Sequence, residues 1–359
     1  AYSVQFGDGC YFHPQAFYQD FLPSLATPNL ANTGIQMIPL TPNNYVVVPT
    51  ASTIVPPTST SITLSPPTAG SSGAGNWDDA YLVQALPFTF PYAGGSTSVI
   101  SIGSNGYIFL NSESSTSFDV SGASYGSIGT FRDHQGRICP FFHDLDPTVG
   151  GGIFYEPDTS PTPSFVTITW QNLQEFGVST ALNTFQLKLN SSGLVEINYG
   201  ALANTSAGND AIAGFTPGNG ARLPPPQNLV ATMPFQSGDG SIPPVLGLSA
   251  RPVLGTSTNL VTTNITAGTL FVFQVTGFGT IPAGVNLAPI GMPGCFQYVV
   301  PVSSLLLPVI GGQSSTSIFI PNVPSFAGTV VSSQAAPLTA GLNAAGILAS
   351  NGVCMKIGL

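Results

Sequence analysis

Hydrophobic and polar positions alternate with period two along much of this chain. In "FVTITW", Val166, Ile168 and Trp170 oppose Phe165, Thr167 and Thr169, as on a half-buried strand. "TFQLKLNSSGLVEINYG" carries the pattern through a hairpin. Phe185, Leu187 and Leu189 share a face, and Asn190-Ser191-Ser192-Gly193 supplies the turn. "GIQMIPLTPNNYVVVPT" (34–50) reads as another hairpin, around Thr41-Pro42-Asn43-Asn44. "YLVQALPFTFPY", "TSVISIGSNGYIFLN", "GIFYEP" and "DAIAGFTPG" add strands punctuated by Gly, Asn or Pro. After a Pro-rich join at 223–246, strand-like runs resume in "NLVTTNITAGTLFVFQVTGFG", "CFQYVVPV", "TSIFIPNVPSFAGTVVSSQAAPL" and "GVCMKIGL". The one helical expectation is a short turn in "AFYQDF" (16–21).

This pattern predicts an all-β protein of two mainly antiparallel β-sandwich domains. The N-terminal domain spans 1–247 and includes a hairpin and a Pro/Thr-rich segment at 34–75. The C-terminal domain spans 248–359. The run "ASTIVPPTSTSITLSPPTAGSSGAG" (51–75) reads as a linker or an O-glycosylated stalk. Gly (41) and Pro (33) are abundant, but 43% of residues are hydrophobic, enough to hold the chain out of the disordered class.

Charge changes the picture more. Only 6% of the 359 residues are charged, against roughly a quarter in ordinary soluble proteins. No charged residue lies between Asp20 and Asp78, and after Arg251 the only one is Lys356. A net charge of −9 with six basic side chains excludes nucleic acid as a partner. A surface of Ser, Thr, Asn and Gln is expected to be coated by glycan or buried against copies of the same chain. No run is long and apolar enough for a membrane span. The chain opens at Ala1 with no visible leader, as a cleaved secreted protein would. Four cysteines without a CxxC pair suit two disulfides in an oxidising, extracellular setting. Three pairings are open. Keeping each bond within one half favours Cys10–Cys139 and Cys295–Cys354.

Candidate chemistry is concentrated in "CPFFHDLDPTVGGGIFYE" (139–156). Asp144 and Asp146, at i and i+2, point the same way on a strand and are candidate Ca2+ ligands, with Asp78, Asp79 or Glu156 adding oxygens. The competing and favoured reading is a turn opened by Asp146-Pro147 and reversed at Gly150-Gly151-Gly152. His143-Asp144 suggests a hydrolase only if a Ser hydroxyl lies within reach of His143. Sequence neighbours on a strand face opposite ways, and His13 and His134 add no motif, so no enzyme and no cofactor other than Ca2+ is expected. Sequons at Asn190, Asn204 and Asn264 are N-glycosylation candidates, and Thr58, Ser59, Thr60 and Ser61 are O-glycosylation candidates. Trp77, Trp170, Phe88, Phe90 and Tyr107 read as core, with a sugar platform as the alternative.

"FTFPYAGGSTSVISIGSNGYIF" (88–109), with "ICPFFHDLDPTVGGGIFYE" and "FVTITWQNLQEF" after it, resembles the nidogen-like extracellular β-domain of bacterial surface proteins. Ser104-Asn105-Gly106-Tyr107, Asp144-Leu145-Asp146-Pro147, Thr169-Trp170 and Thr184-Phe185-Gln186 carry the resemblance in order and spacing. The second half, with "GCFQYVVP" and "SNGVCMKIG", is similar to a small C-terminal β-domain of secreted proteins of environmental Gram-negative bacteria. These resemblances imply adhesion, matrix or surface structure rather than catalysis. The expectation is an extracellular, self-assembling subunit of a filament, fibre or coat, glycosylated, with an arm at about 43–68 lying on a neighbouring copy. The alternative is a monomeric adhesion or carbohydrate-binding module that uses Ca2+.

Overall fold

Alternation along the strands becomes two-sidedness in three dimensions, although the central strands β8 and β14 of one sheet are buried on both faces. The structure, a computed structural model, describes residues 1–10, 13–22, 27–63, 78–111, 126–205, 210–340 and 343–359. In chain order the first strands are β1 (Tyr2–Phe6), β2 (Phe17–Phe21), β3 (Thr33–Thr41), β4 (Asn44–Ala51), β5 (Tyr81–Tyr92), β6 (Gly95–Gly103), β7 (Ile108–Phe109) and β8 (Gln135–Phe142). Next come β9 (Leu145–Asp146), β10 (Gly152–Asp158), β11 (Phe165–Glu175), β12 (Val178–Asn190), β13 (Val195–Tyr199), β14 (Ala211–Gly218), β15 (Phe235–Gln236) and β16 (Val245–Leu248). The last are β17 (Ser257–Thr263), β18 (Phe271–Gly277), β19 (Gly279–Asn286), β20 (Phe296–Val300), β21 (Ser303–Pro308), β22 (Ser314–Phe319), β23 (Val330–Pro337) and β24 (Gly352–Lys356). The all-β, antiparallel expectation holds.

The unit over His13–Gly240 has two sheets. One is ordered β10-β11-β12-β13-β3-β4-β15, with β9 added beside β11; the other runs β2-β14-β8-β7-β6-β5. Their inner faces share one core. Ile168, Trp170, Leu187 and Ile197 from the first sheet meet Phe90, Ile100, Ile138 and Phe215 from the second. Large side chains with polar tips tie the layers together. Trp170 Nε1 donates to the Gly103 carbonyl at 2.9 Å, and the Tyr199 hydroxyl donates to the Pro140 carbonyl at 2.9 Å. The "AFYQDF" run is not helical: residues 17–21 form β2 against β14, because Phe17 and Phe21 find core partners on one face while Tyr18 packs on the other.

The second unit is discontinuous, Ala1–Phe12 with Ser241–Leu359. Its five-stranded sheet runs β1-β24-β23-β18-β21, beside a three-stranded sheet β16-β17-β22 and a hairpin β19-β20. The expected division at 247/248 therefore needs correction, since the first strand belongs with the last. β1 pairs along its whole length with β24, and a Cβ on Gly352 would come within 2.6 Å of the Phe6 ring, so only glycine admits that ring. The same pairing corrects the cysteine assignment. Cys10 is bonded to Cys295, while Cys139 and Cys354 are free thiols. Cys139 faces an aromatic cluster in the other unit, where burial pushes its thiol up to about 12.

Residues 52–62, within the segment expected to form an arm, cross the polar outer face of their own sheet; residues 64–68 of that segment lie outside the described residues. Thr53 N donates to Asn198 Oδ1 at 3.0 Å, Gln186 Nε2 donates to the Val55 carbonyl at 2.9 Å, and Ile62 N donates to the Ile153 carbonyl at 2.8 Å. Glu156 Oε1 takes three bonds, from Thr58 N, Thr58 Oγ1 and Ser59 N.

Alkylation of the denatured, unreduced chain is expected to trap two thiols, Cys139 and Cys354, with Cys139 reacting only after unfolding. Peptide mapping should recover Cys10 joined to Cys295; a Cys10–Cys139 peptide would contradict this chain path.

Candidate functional site

The loops at one end of the continuous unit bring carboxylates together. Asp78 and Asp79 precede β5, and Asp144 joins β8 to β9. One oxygen of each lies within 4.8 Å of the others. The Ser104-Asn105-Gly106 turn holds them in place. Asn105 donates from Nδ2 to Asp79 Oδ1 at 3.0 Å and accepts at Oδ1 from Leu145 N at 3.0 Å, fixing one acidic loop against the other. Ser104 N donates to the Ala80 carbonyl, and its hydroxyl accepts from Ala80 N. Gly106 is required here: φ is +74°, and a Cβ would sit 2.0 Å from the Phe141 carbonyl oxygen.

Of the two carboxylates singled out by spacing, Asp144 enters the cluster. Asp146 accepts from Thr148 N at 2.8 Å and Thr148 Oγ1 at 2.5 Å, capping its own turn. Asp78 comes in from far away in sequence. Its Oδ1 is buried and has no hydrogen-bond partner among the described residues. Burial, then the charges of Asp79, Asp146 and Asp144, push its carboxyl up to about 7. Oxygen donors of this kind suit a hard cation.

His143 turns the other way and is wholly buried. Nε2 lies 3.4 Å from Glu175 Oε1, and Nδ1 lies 3.3 Å from the Asp210 carbonyl oxygen. Burial alone would raise the Glu175 carboxyl, but His143 and the Thr205 amide and hydroxyl outweigh it and hold it below its ordinary value. Among the described residues no Ser hydroxyl reaches the His143 ring. His13 lies exposed, 3.9 Å from Asp239, and His134 meets the edge of the Phe109 ring.

Sequence reasoning passed over Arg137. Its guanidinium is fully buried, 4.5, 5.0 and 5.5 Å from the ring centres of Phe109, Tyr107 and Phe142, with no hydrogen-bond acceptor among the described residues. Ring faces stand in for an anion there, at roughly 2 kcal/mol per desolvated contact. Trp170, Phe90 and Tyr107 are core, Phe88 packs against the core, and Trp77 lies outside the described residues. Asn190 and Asn204 are buried with their amide nitrogens donated to backbone carbonyls, whereas Asn264 is exposed. Thr58, Ser59 and Thr60 are exposed, and Ser61 is half-buried with its hydroxyl bonded to Ile153. Among the described residues no helix is long and apolar enough to cross a membrane.

A family model described as NIDO related matches residues 44–232, somewhat more than half of the chain, and takes in all three clustered aspartates. No curated protein and no solved structure matches.

Because the folded protein raises the Asp78 carboxyl from 3.8 to about 7, its contribution to stability is full below pH 4 and is lost as pH rises through 7. Asp78→Asn, which keeps the shape without the charge, is expected to raise the thermal midpoint by a few degrees at pH 8 in chelator, by less at pH 5, and to change it little below pH 4. An unchanged or lower midpoint at pH 8 would contradict that electrostatic account.

Proposed function

We propose, from the premise that this chain belongs to the NIDO-related family, that it is an extracellular structural subunit that polymerises through the open sheet edges of its discontinuous unit. The observation that carries this reading is β21. It is the outer strand of its sheet, and Leu305 and Leu306 are about half exposed, at 52% and 48%. Soluble proteins usually blunt such an edge with lysine, proline or a bulge. Here Pro308 stands only at the strand's last position, and the whole unit carries just Asp8, Arg251 and Lys356.

The opposite edge of the same sheet is β1, with Tyr2 and Val4 each 52% exposed. A sheet with two unprotected edges can add β1 of one copy to β21 of the next, a head-to-tail contact that need not close. Residues 52–62 play no part in it, since their own sheet holds them. The Cys10–Cys295 bond fits an oxidising compartment. Asn264, Thr58, Ser59 and Thr60 are the exposed acceptors for the sugar coat that belongs to the same reading.

A second role, Ca2+ binding, is favoured by the convergence of Asp78, Asp79 and Asp144. Three carboxylates supply part of the six to eight oxygens that the ion takes, with backbone and water completing the shell. Ca2+ would cancel the repulsion on Asp78. It is expected to raise the thermal midpoint at pH 8 in the native chain and not in Asp144→Asn; equal response of both would exclude the site.

Assembly is tested by sedimentation and electron microscopy of the native chain, Leu305→Lys and Val4→Lys. The native chain should form filaments, and each variant should remain monomeric at an unchanged thermal midpoint. Mixing the variants should give dimers only, since one intact β1 and one intact β21 remain. Dispersed native monomers, or filaments from either variant, would sink the proposal.

A further inference from the structure

The outer face of the eight-stranded sheet poses a separate question. Two cross-strand rows there are mostly polar: Glu156, Thr167, Lys188 and Glu196 form one, and Thr169, Gln186 and Asn198, with Phe154 at the outer strand, form the next. Residues 53–58 cross above them and leave a groove of about 390 Å³, closed on the far side by Pro157, Asp158 and Phe165. That volume lies within the roughly 300–1,000 Å³ of ligand sites.

We infer that this groove binds a sugar chain of neutral or amino-bearing residues. The strap consumes part of the face's hydrogen-bonding capacity and leaves a mixed remainder. All three bonds to Glu156 fall on Oε1, leaving Oε2 outside them. Asn198 spends Oδ1 on Thr53, and its Nδ2 makes no hydrogen bond among the described residues. Lys188 has three protons and, among the described residues, one carboxylate at ion-pair distance, Glu196 at 3.3 Å, with Asp158 farther off but within reach of its charge. Phe165 provides a half-buried ring, with Lys188 Nζ 4.2 Å from its centre.

Unspent donors and acceptors beside an apolar ring match the hydroxyls and C–H face of a pyranose. Charge narrows the class. Three carboxylates, Glu156, Asp158 and Glu196, outnumber the one ammonium, so the groove repels uronic and other acidic sugars. Burial would raise the Glu156 carboxyl, but the bonds from Thr58 and Ser59 hold it below its ordinary value, and the Ser160 hydroxyl and amide lower that of Asp158. Lys188 on the floor works against cationic peptides. The groove lies within the continuous unit, so it works whether or not the chain polymerises.

Calorimetric titration of the full chain with cellotetraose, acetylated chitotetraose and a chitosan tetramer tests the inference, with trigalacturonate and trilysine as controls. Saturable binding of at least one of the first three is expected, weakened about tenfold by Lys188→Met and by Phe165→Leu at unchanged thermal midpoints. It is overturned if none of the three binds saturably, if both variants bind as the native chain does, or if trigalacturonate or trilysine binds in their place.

Discussion

Buried carboxamides hold the loops of this molecule to its sheets. A backbone group that leaves a β-ladder inside a protein must find another partner or forfeit about 1–3 kcal/mol. With so few charges, amide side chains supply that partner. Gln334 accepts from Tyr298 N and donates to the carbonyls of Phe296 and Ser350, joining three segments at one side chain. Asn351 faces Leu246 as a strand would, accepting from its amide and donating to its carbonyl. Asn204 reaches the carbonyls of Phe21 and Leu22, and Asn183 takes the amide of Ala203. Each such bond is worth only about 1 kcal/mol net, but losing one strands a buried group. Neutral amides can do this because they need no counter-charge; the cost shows at Asn183 Nδ2 and Asn204 Oδ1, which are buried with no hydrogen-bond partner among the described residues.

Much of the fold was legible because period-two alternation is a local signal. "FVTITW" became β11 with Val166, Ile168 and Trp170 inward, and both hairpins appeared where their turn residues stood. What escaped was pairing across long sequence distances. Nothing near Tyr2–Phe6 indicates that its partner is Gly352–Lys356, so grouping cysteines by halves joined Cys10 to the wrong thiol. The candidate metal centre shows the same limit. Spacing paired Asp144 with Asp146, whereas the cluster joins Asp144 to Asp78 and Asp79; spacing could not see that Thr148 would engage Asp146 or that Asp78 would arrive buried. Arg137 could not be read at all, because its ring partners come from β7, β8 and the turn before β7.

Charge separates the two units chemically. The continuous one keeps the aspartates, the His143–Glu175 contact and the Lys188–Glu196 pair, where ionic groups meet in defined geometry. The discontinuous one relies on hydroxyls, amides and exposed aliphatic side chains. Long-range repulsion, which keeps most soluble proteins apart, is therefore weak over one unit and ordinary over the other.

The discontinuous unit also imposes a constraint of connectivity. Every strand of the two sheets of residues 13–240 lies within them, while β1 pairs with β24 and the Cys10–Cys295 bond spans 285 residues of sequence. That bond closes a covalent loop that contains the whole continuous unit, and a loop so long removes more freedom from the unfolded chain than a short one would. In the folded protein Cys139 is sealed inside the continuous unit, beyond the reach of thiol exchange. Burial, rather than any property of its sulfur atom, thus keeps Cys139 from attacking the bond.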